Sequence, residues 1–297
     1  VRLIEAVPNF SEGRNQETVE KILEVFRAVD GCHLLDAHAD GDHNRLVVTV
    51  VGEPGPVTEA CLAAGKRAAE LIDMDEHTGS HPRIGATDVV PLVPVRDVTM
   101  KECVALAEEL GERFADELGI PVYLYEKAAR KPGRRKLENI RRGEYETLKE
   151  EIDQPERRPD FGPAEMPSAG ATVVGARQPL VAYNIYLNTE DVGVANVIAR
   201  AVRGSSGGFA NVKAIGLEVD EGVQVSMNLT NFRSTPIHRV FEFVRREAEQ
   251  RGVTVESSEI VGLLPEEALI AAARYYLRLA GFDPDEQILE YRIAREE

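Results

Sequence analysis

Tryptophan is absent from this chain, and cysteine and methionine are scarce, with three and four residues among 297. The three cysteines, Cys32, Cys61 and Cys103, stand far apart, are odd in number and form no CxxC pair. That pattern excludes a disulfide framework and a zinc ribbon; it predicts buried thiols in a reducing compartment, the cytoplasm. No apolar run reaches the roughly 18 residues that a bilayer span needs, so no membrane partner is expected. The opening residues VRLIEAVPNF lack the basic, apolar and small-residue regions of a signal peptide. Positive charge is also in short supply: 35 Lys and Arg face 51 Asp and Glu, a formal net charge of −16. A general nucleic-acid binder needs a basic field against phosphate, so nucleic acid is not an expected partner. No G-x-G-x-x-G follows the first strand-like segment. GSSGG at 204–208 comes after a helix and carries no GK[ST] ending, so a nucleotide cofactor is not expected. No cysteine has a setting that suggests a nucleophile.

What is present is a globular balance, 43% hydrophobic and 29% charged, in a chain long enough for two domains or for two similar halves. The second half is the more legible. PLVAYNIYLN (179–188) alternates as a half-buried strand does, and 190–203 places Val194, Val197, Ile198, Ala201 and Val202 on one helical face. Strands at 211–219 and 223–231 follow, then a helix at 235–251 with Ser234 or Thr235 as its cap and Pro236 in its first turn. A strand at 253–261 and a helix at 265–280 complete the half. The first half repeats this order: strand 2–8, helix 15–29, strands 31–37 and 45–52, helix 55–72 and strand 88–95. Helix 99–118, strand 121–125 and an irregular basic stretch are additions. The expected fold class is α+β, with two ferredoxin-like (β-α-β-β-α-β) subdomains packed around a ligand cleft. The boundaries are 1–178, including a proline-rich connector from 153, and 179–297.

Six histidines offer near-neutral titration. His77 and His81 lie in DEHTGSHPRIGATD. Gly79 and Pro82 break the helix that would align them as a metal pair, and no Glu follows His77. A catalytic histidine on a loop and a histidine that pins the loop both fit these residues. Arg83 can clamp a carboxylate, and Asp88 can orient an imidazole. DAHADGDHNR (36–45) holds Asp36, His38, Asp40, Asp42 and His43, yet Asp, Gly and Asn are also what a turn between strands requires. No metal is expected. Eight basic residues crowd 127–142 (Lys127, Arg130, Lys131, Arg134, Arg135, Lys136, Arg141, Arg142), as a solvated surface or as an attraction for an anionic ligand.

VPNFSEG (7–13), LIDM (71–74), HPRIGATDVVPLVPV (81–95), LGIPVYLY (118–125), DFGP (160–163), GATVVGAR (170–177) and VGLLP (261–265) together resemble the formiminotransferase domain, in order and over essentially the whole chain. That domain occurs alone, as glutamate formimidoyltransferase, and as the first half of formiminotransferase-cyclodeaminase; the second half is expected to be a separate protein here, taking the product. The resemblance implies two α/β subdomains with tetrahydrofolate held between them, and a homodimer. It implies a catalytic histidine at the head of HPR-x-G-A-x-D, which is His81. It also implies a folate-binding segment over Gly162, Pro163, Ala164, Glu165, Met166, Pro167, Ser168, Ala169 and Gly170, with Ala169 where an aromatic ring is expected.

The implied reaction moves a formimino group from N-formimino-L-glutamate to N5 of tetrahydrofolate, giving 5-formiminotetrahydrofolate and L-glutamate, with His81 as general base. Arg83 and Arg45 are candidates for the donor's carboxylates. Asn9, Ser11 and Asn44 are candidates for neutral hydrogen bonds, and Asp36 or Asp40 for a carboxylate that assists His81. An N-formylglutamate-dependent transfer giving 5-formyltetrahydrofolate and a non-catalytic folate-binding protein are the alternatives.

Overall fold

A computed structural model describes residues 1–296. The chain divides into two compact units, one of residues 1–178 and one beginning at Pro179, each built on its own sheet.

The first unit opens with two short strands, β1 (Leu3–Ala6) and β2 (Asn9–Phe10), followed by α1 (Gln16–Ala28). Asn15 starts that helix by accepting the N–H groups of Glu17 and Thr18, which would otherwise lack partners. Strands β3 (Cys32–Asp40) and β4 (Arg45–Gly52) pair antiparallel, α2 (Pro54–Leu71) begins on a proline, and β5 (Thr87–Arg96) follows. In the sheet β1 and β2 lie between β4 and β5, and β3 lies outside β4, all antiparallel. This is the strand order of a split β-α-β unit. Helix α3 (Met100–Leu118) carries a Thr99–Glu102 capping box and stops at Gly119, whose φ of 67° suits only glycine readily. It leads to β6 (Val122–Glu126).

Two features of the first unit depart from the sequence expectation. The basic stretch after β6 is not irregular throughout, since it contains α4 (Leu137–Ile140), and α5 (Glu144–Glu151) follows it. The proline-rich residues 153–170 have no regular element, yet they do not lead out of the unit. They return to β7 (Thr172–Ala176), which pairs parallel with β5 on one side and β6 on the other. All five β7 residues are buried, and a strand covered on both faces shows no alternation by which to recognise it.

The second unit runs β8 (Val181–Leu187), α6 (Val192–Val202), β9 (Val212–Val219), β10 (Gly222–Leu229), α7 (Ile237–Glu249) and β11 (Val255–Val261). Its antiparallel sheet is ordered β11-β8-β10-β9, the same split arrangement. Neither Ser234 nor Thr235 caps α7: Pro236 holds the cap position, no side-chain oxygen serves it, and Thr235 is buried. Proline's fixed φ suits a helix entry, which leaves the hydroxyls free for other packing. Helix α8 (Glu266–Leu277) is followed by α9 (Pro284–Gln287) and α10 (Leu289–Glu296), beyond the elements expected. Among the described residues no helix is long and apolar enough to cross a membrane.

Each unit has its own core. Ile4, Leu46, Val50 and Leu92 from the first sheet meet Ile22, Phe26 and Phe114 from its helices. Val181, Ile185 and Val225 of the second sheet meet Ile198, Val240 and Val244. Burying each such side chain contributes about 1.5–3 kcal/mol, which makes the first sheet a firm base for the loops at its edge.

Candidate active site

Three loops of the first unit meet where β2, β4 and β5 approach one another: residues 7–13, 40–45 and 77–85. Asn44 ties them together. Its Oδ1 accepts Gly13 N–H at 2.9 Å and its Nδ2 donates to Thr78 O at 2.8 Å. It sits buried at φ 49°, a conformation that asparagine tolerates better than most residues. The approach leaves no room for side chains at the glycines: a Cβ on Gly13 would lie 2.2 Å from Asp40 O, and one on Gly79 2.6 Å from His43 O. Ser11, also buried, donates its hydroxyl to Gly85 O at 2.8 Å and its N–H to Ala86 O at 2.9 Å. Asn9 donates Nδ2 to Val7 O at 2.9 Å. The donors of these three candidate substrate contacts are thus engaged within the loops themselves.

The two histidines of the third loop have different surroundings. His77 is held at both nitrogens: Nδ1 accepts from Arg83 Nε at 3.2 Å, and Nε2 lies 3.3 Å from Asn44 O. Because guanidinium only donates, Nδ1 is the acceptor and Nε2 carries the proton. Burial lowers the pKa of His77, and the Arg83 charge adds to this. His77 pins the loop. Arg83 is itself buried, at 6% exposure, and its guanidinium forks onto Glu146 at 2.6 and 2.9 Å and onto Glu144 at 2.7 Å. Its carboxylate clamp is occupied by carboxylates of α5.

His81 is half-buried and faces cations. Arg45 Nη1 lies 2.8 Å from its Nε2. His43 stands edge-on, with ring centroids 6.5 Å apart. Burial is the largest influence on His81, followed by the charges of Arg45 and Arg141, then His43; together they push its pKa down from 6.5 to about 3, with Asp40 opposing. The imidazole is therefore neutral at pH 7. Asp40 is engaged with His43, through Nδ1 at 2.6 Å and the backbone N–H at 2.9 Å. Burial pushes the Asp40 carboxyl up, but these hydrogen bonds outweigh it and hold it below the usual range. Of the other residues in 36–45, His38 is exposed on β3 opposite Val47, and Asp36 is half-buried on the same strand opposite Thr49.

Asp88 does not orient an imidazole, contrary to the sequence expectation. It is 2% exposed, its Oδ1 accepts Ile84 N–H at 2.9 Å, and its Oδ2 binds Arg141. Both oxygens are used by those partners. Arg141 and Arg134 show that the basic stretch is partly internal: Arg134 pairs with Asp160 at 2.6 Å, with both side chains nearly sealed from water.

Residues 162–170 are fastened to the same loop. Gly162, Pro163, Ala164 and Glu165 are exposed, whereas Met166, Ala169 and Gly170 are buried. Ser168 O accepts Met74 N–H and Ala169 O accepts Ala86 N–H, each at 2.8 Å. Gly170 and Gly85 form an antiparallel bridge, and Ala171 N–H donates to Ile84 O at 2.9 Å. The end of this segment thus runs beside the backbone that follows His81, Pro82 and Arg83.

Comparison with known proteins places the chain in a family. Residues 3–177 match the formiminotransferase domain, N-terminal subdomain, and residues 182–281 match the formiminotransferase domain. The glutamate formimidoyltransferase of Thermoplasma acidophilum is 49% identical, over 99% of this chain and 98% of its own. That of Streptococcus pyogenes is 44% identical, over 97% of this chain and 98% of its own. The formimidoyltransferase-cyclodeaminase of Mus musculus is 44% identical over 98% of this chain, and the match spans 60% of the mouse protein. The chain belongs to the formiminotransferase family and is a transferase.

Proposed function

We propose that the chain transfers the formimino group of N-formimino-L-glutamate to N5 of tetrahydrofolate, with His81 as general base and tetrahydrofolate as co-substrate held at residues 162–170. The N5 lone pair bonds to the formimino carbon and N5 becomes cationic. His81 takes the N5 proton, the tetrahedral intermediate collapses, and the carbon–nitrogen bond to glutamate breaks. The proton returns from the imidazolium to the departing amine, so the base is regenerated. Such proton transfers contribute about 10² to 10⁴ in rate, and alignment of the two reactants supplies much of the rest.

The observation that carries the proposal is the setting of His81: a half-buried, neutral imidazole beside a guanidinium, on the loop that also fastens residues 162–170. Of the two arginines that can bind the donor's carboxylates, Arg83 holds Glu144 and Glu146. Arg45 has no carboxylate in ion-pair contact among the described residues. The names of the Thermoplasma and Streptococcus relatives support the donor, and the two-part name of the mouse relative supports a cyclodeaminase as the next user of the product. A homodimer in the cytoplasm completes the proposal.

The test is a product assay with tetrahydrofolate and N-formiminoglutamate, run beside N-formylglutamate, on the wild type and His81→Ala. The expected outcome is formimino transfer that falls by at least about two orders of magnitude in the variant. Turnover of the formyl donor alone would reassign the reaction, and undiminished turnover by His81→Ala would remove the base.

A further inference from the structure

A neutral imidazole has one lone pair on its ring nitrogens, and here that of His81 is taken. Guanidinium N–H groups only donate, so Arg45 Nη1 at 2.8 Å makes His81 Nε2 the acceptor and leaves the ring proton on Nδ1. While Arg45 stays there, His81 has no site at which to receive a proton from an attacking amine.

Arg45 is poorly satisfied in that position. Its Nε is buried and has no acceptor. The two carboxylates whose charge reaches it are engaged elsewhere, Asp40 with His43 and Asp88 with Arg141 and Ile84 N–H. Arg141 adds a like charge, and this and the larger effect of burial both disfavour the charged guanidinium. A half-buried guanidinium with an orphaned N–H and a cation nearby is suited to bind an anion. A carboxylate can accept Nε and a terminal N–H together, as a fork that an imidazole nitrogen cannot match.

Building on the transferase proposal above, we propose that Arg45 is a positioning residue with two alternative acceptors. In the free protein it caps His81 Nε2; when the donor binds, it turns onto a carboxylate of the donor's glutamate moiety, and only then is the base uncovered. The groups facing His81 are Arg45 from β4, Asp40 at the end of β3, His43 from the β3–β4 turn, and Arg141 at the end of α4. Asp88 acts on this set through Arg141. Turning Arg45 onto a carboxylate removes one positive influence and brings in a negative charge. Both changes raise the proton affinity of His81 from its low free value toward neutrality, where a general base is most effective at pH 7. Donor binding and base activation become one event.

The experiment follows the ring resonances of His81 by NMR in the full chain with labelled histidine, assigned by comparison with His81→Gln. The pH titration is run with and without saturating L-glutamate, on the wild type, Arg45→Gln and Arg45→Lys. In the free wild type, His81 stays neutral through the near-neutral range. L-Glutamate raises its midpoint by at least about one pH unit, a tenfold change in proton affinity. Arg45→Gln raises the free midpoint in the same direction, and L-glutamate no longer moves it. Arg45→Lys keeps the charge without the fork and gives a smaller response to the ligand. A free midpoint in Arg45→Gln equal to that of the wild type overturns the proposal, whatever L-glutamate does. So does a wild-type midpoint that stays put although L-glutamate shifts neighbouring resonances. Formimino transfer that depends on His81, with an unmoved midpoint, would remove this inference and leave the function standing. Absence of transfer would remove the function itself.

Discussion

Gly85 and Gly170 face each other across a single antiparallel bridge, with backbones so close that neither position has room for a side chain. A Cβ on Gly85 would lie 2.1 Å from Ala171 O, and one on Gly170 would lie 2.4 Å from Ile84 O and 2.5 Å from Gly85 Cα. The contact is what joins residues 162–170 to the loop of His81.

Gly85→Ala is therefore expected to lower stability by about 1–3 kcal/mol, as overpacking does. It should also raise KM for tetrahydrofolate more than it lowers kcat. Gly170→Ala carries the further strain of φ 74° and should be the less stable of the two. Gly55→Ala on α2, where an added Cβ meets nothing within 4 Å, is the control and should leave both quantities near wild type. Urea unfolding and steady-state kinetics give the comparison. Wild-type stability in Gly85→Ala would show that the strands part without penalty.

Asp88 and Arg141 make a second prediction. Their side chains are 3% and 13% exposed, and removing one partner of a buried pair is destabilising by about 3–5 kcal/mol. Asp88→Asn should approach that range, because the amide leaves the Arg141 charge uncompensated. The double substitution Asp88→Asn with Arg141→Met removes the stranded charge and should recover part of the loss. Equal midpoints for the single and double variants in thermal unfolding would count against the pair as the cause.

The third prediction concerns pH. The folded protein holds the pKa of His81 at about 3, against 6.5 for the ordinary side chain. Between those values the unfolded chain binds a proton at this residue and the folded chain does not. The stability linked to neutral His81 is thus fully present above about pH 6.5 and is lost as pH falls toward 3. His77, lowered in the same direction, adds to the slope. Between pH 7.5 and 5, urea midpoints should fall more for the wild type than for His81→Gln. Parallel declines would mean that His81 titrates alike in both states.

The element order was legible because local signals mark it. The apolar face through 190–203 announces a helix, and the alternation in 181–187 announces a strand. β7 carries no such signal, since burial on both faces erases the alternation. At the site, residue types and loops were readable, but partners were not. Arg141 meets Asp88 across 53 positions and Arg83 meets Glu146 across 63, and no spacing rule reaches that far. The same limit explains Arg134, which looks like one more surface cation until Asp160 is placed against it. His77 and His81 are alike as letters in a loop. They differ because Arg83 and Asn44 engage both nitrogens of one, while a single guanidinium occupies the other.

Strands β6 and β7 are parallel neighbours in the sheet, so the chain that leaves β6 at Lys127 must travel back along the sheet and enters β7 from Ala171, at the end where β6 begins. That excursion carries Arg141, Glu144, Glu146 and residues 162–170, whereas β1 to β5 carry the imidazole and its loop partners. The surroundings of His81 are in this sense completed by two separate stretches of chain, through Arg45 of one and Arg141 of the other. Two ion pairs rivet one stretch to the other, Asp88 with Arg141 and Arg83 with Glu146, so a charge lost on either must be matched by a change on its counterpart.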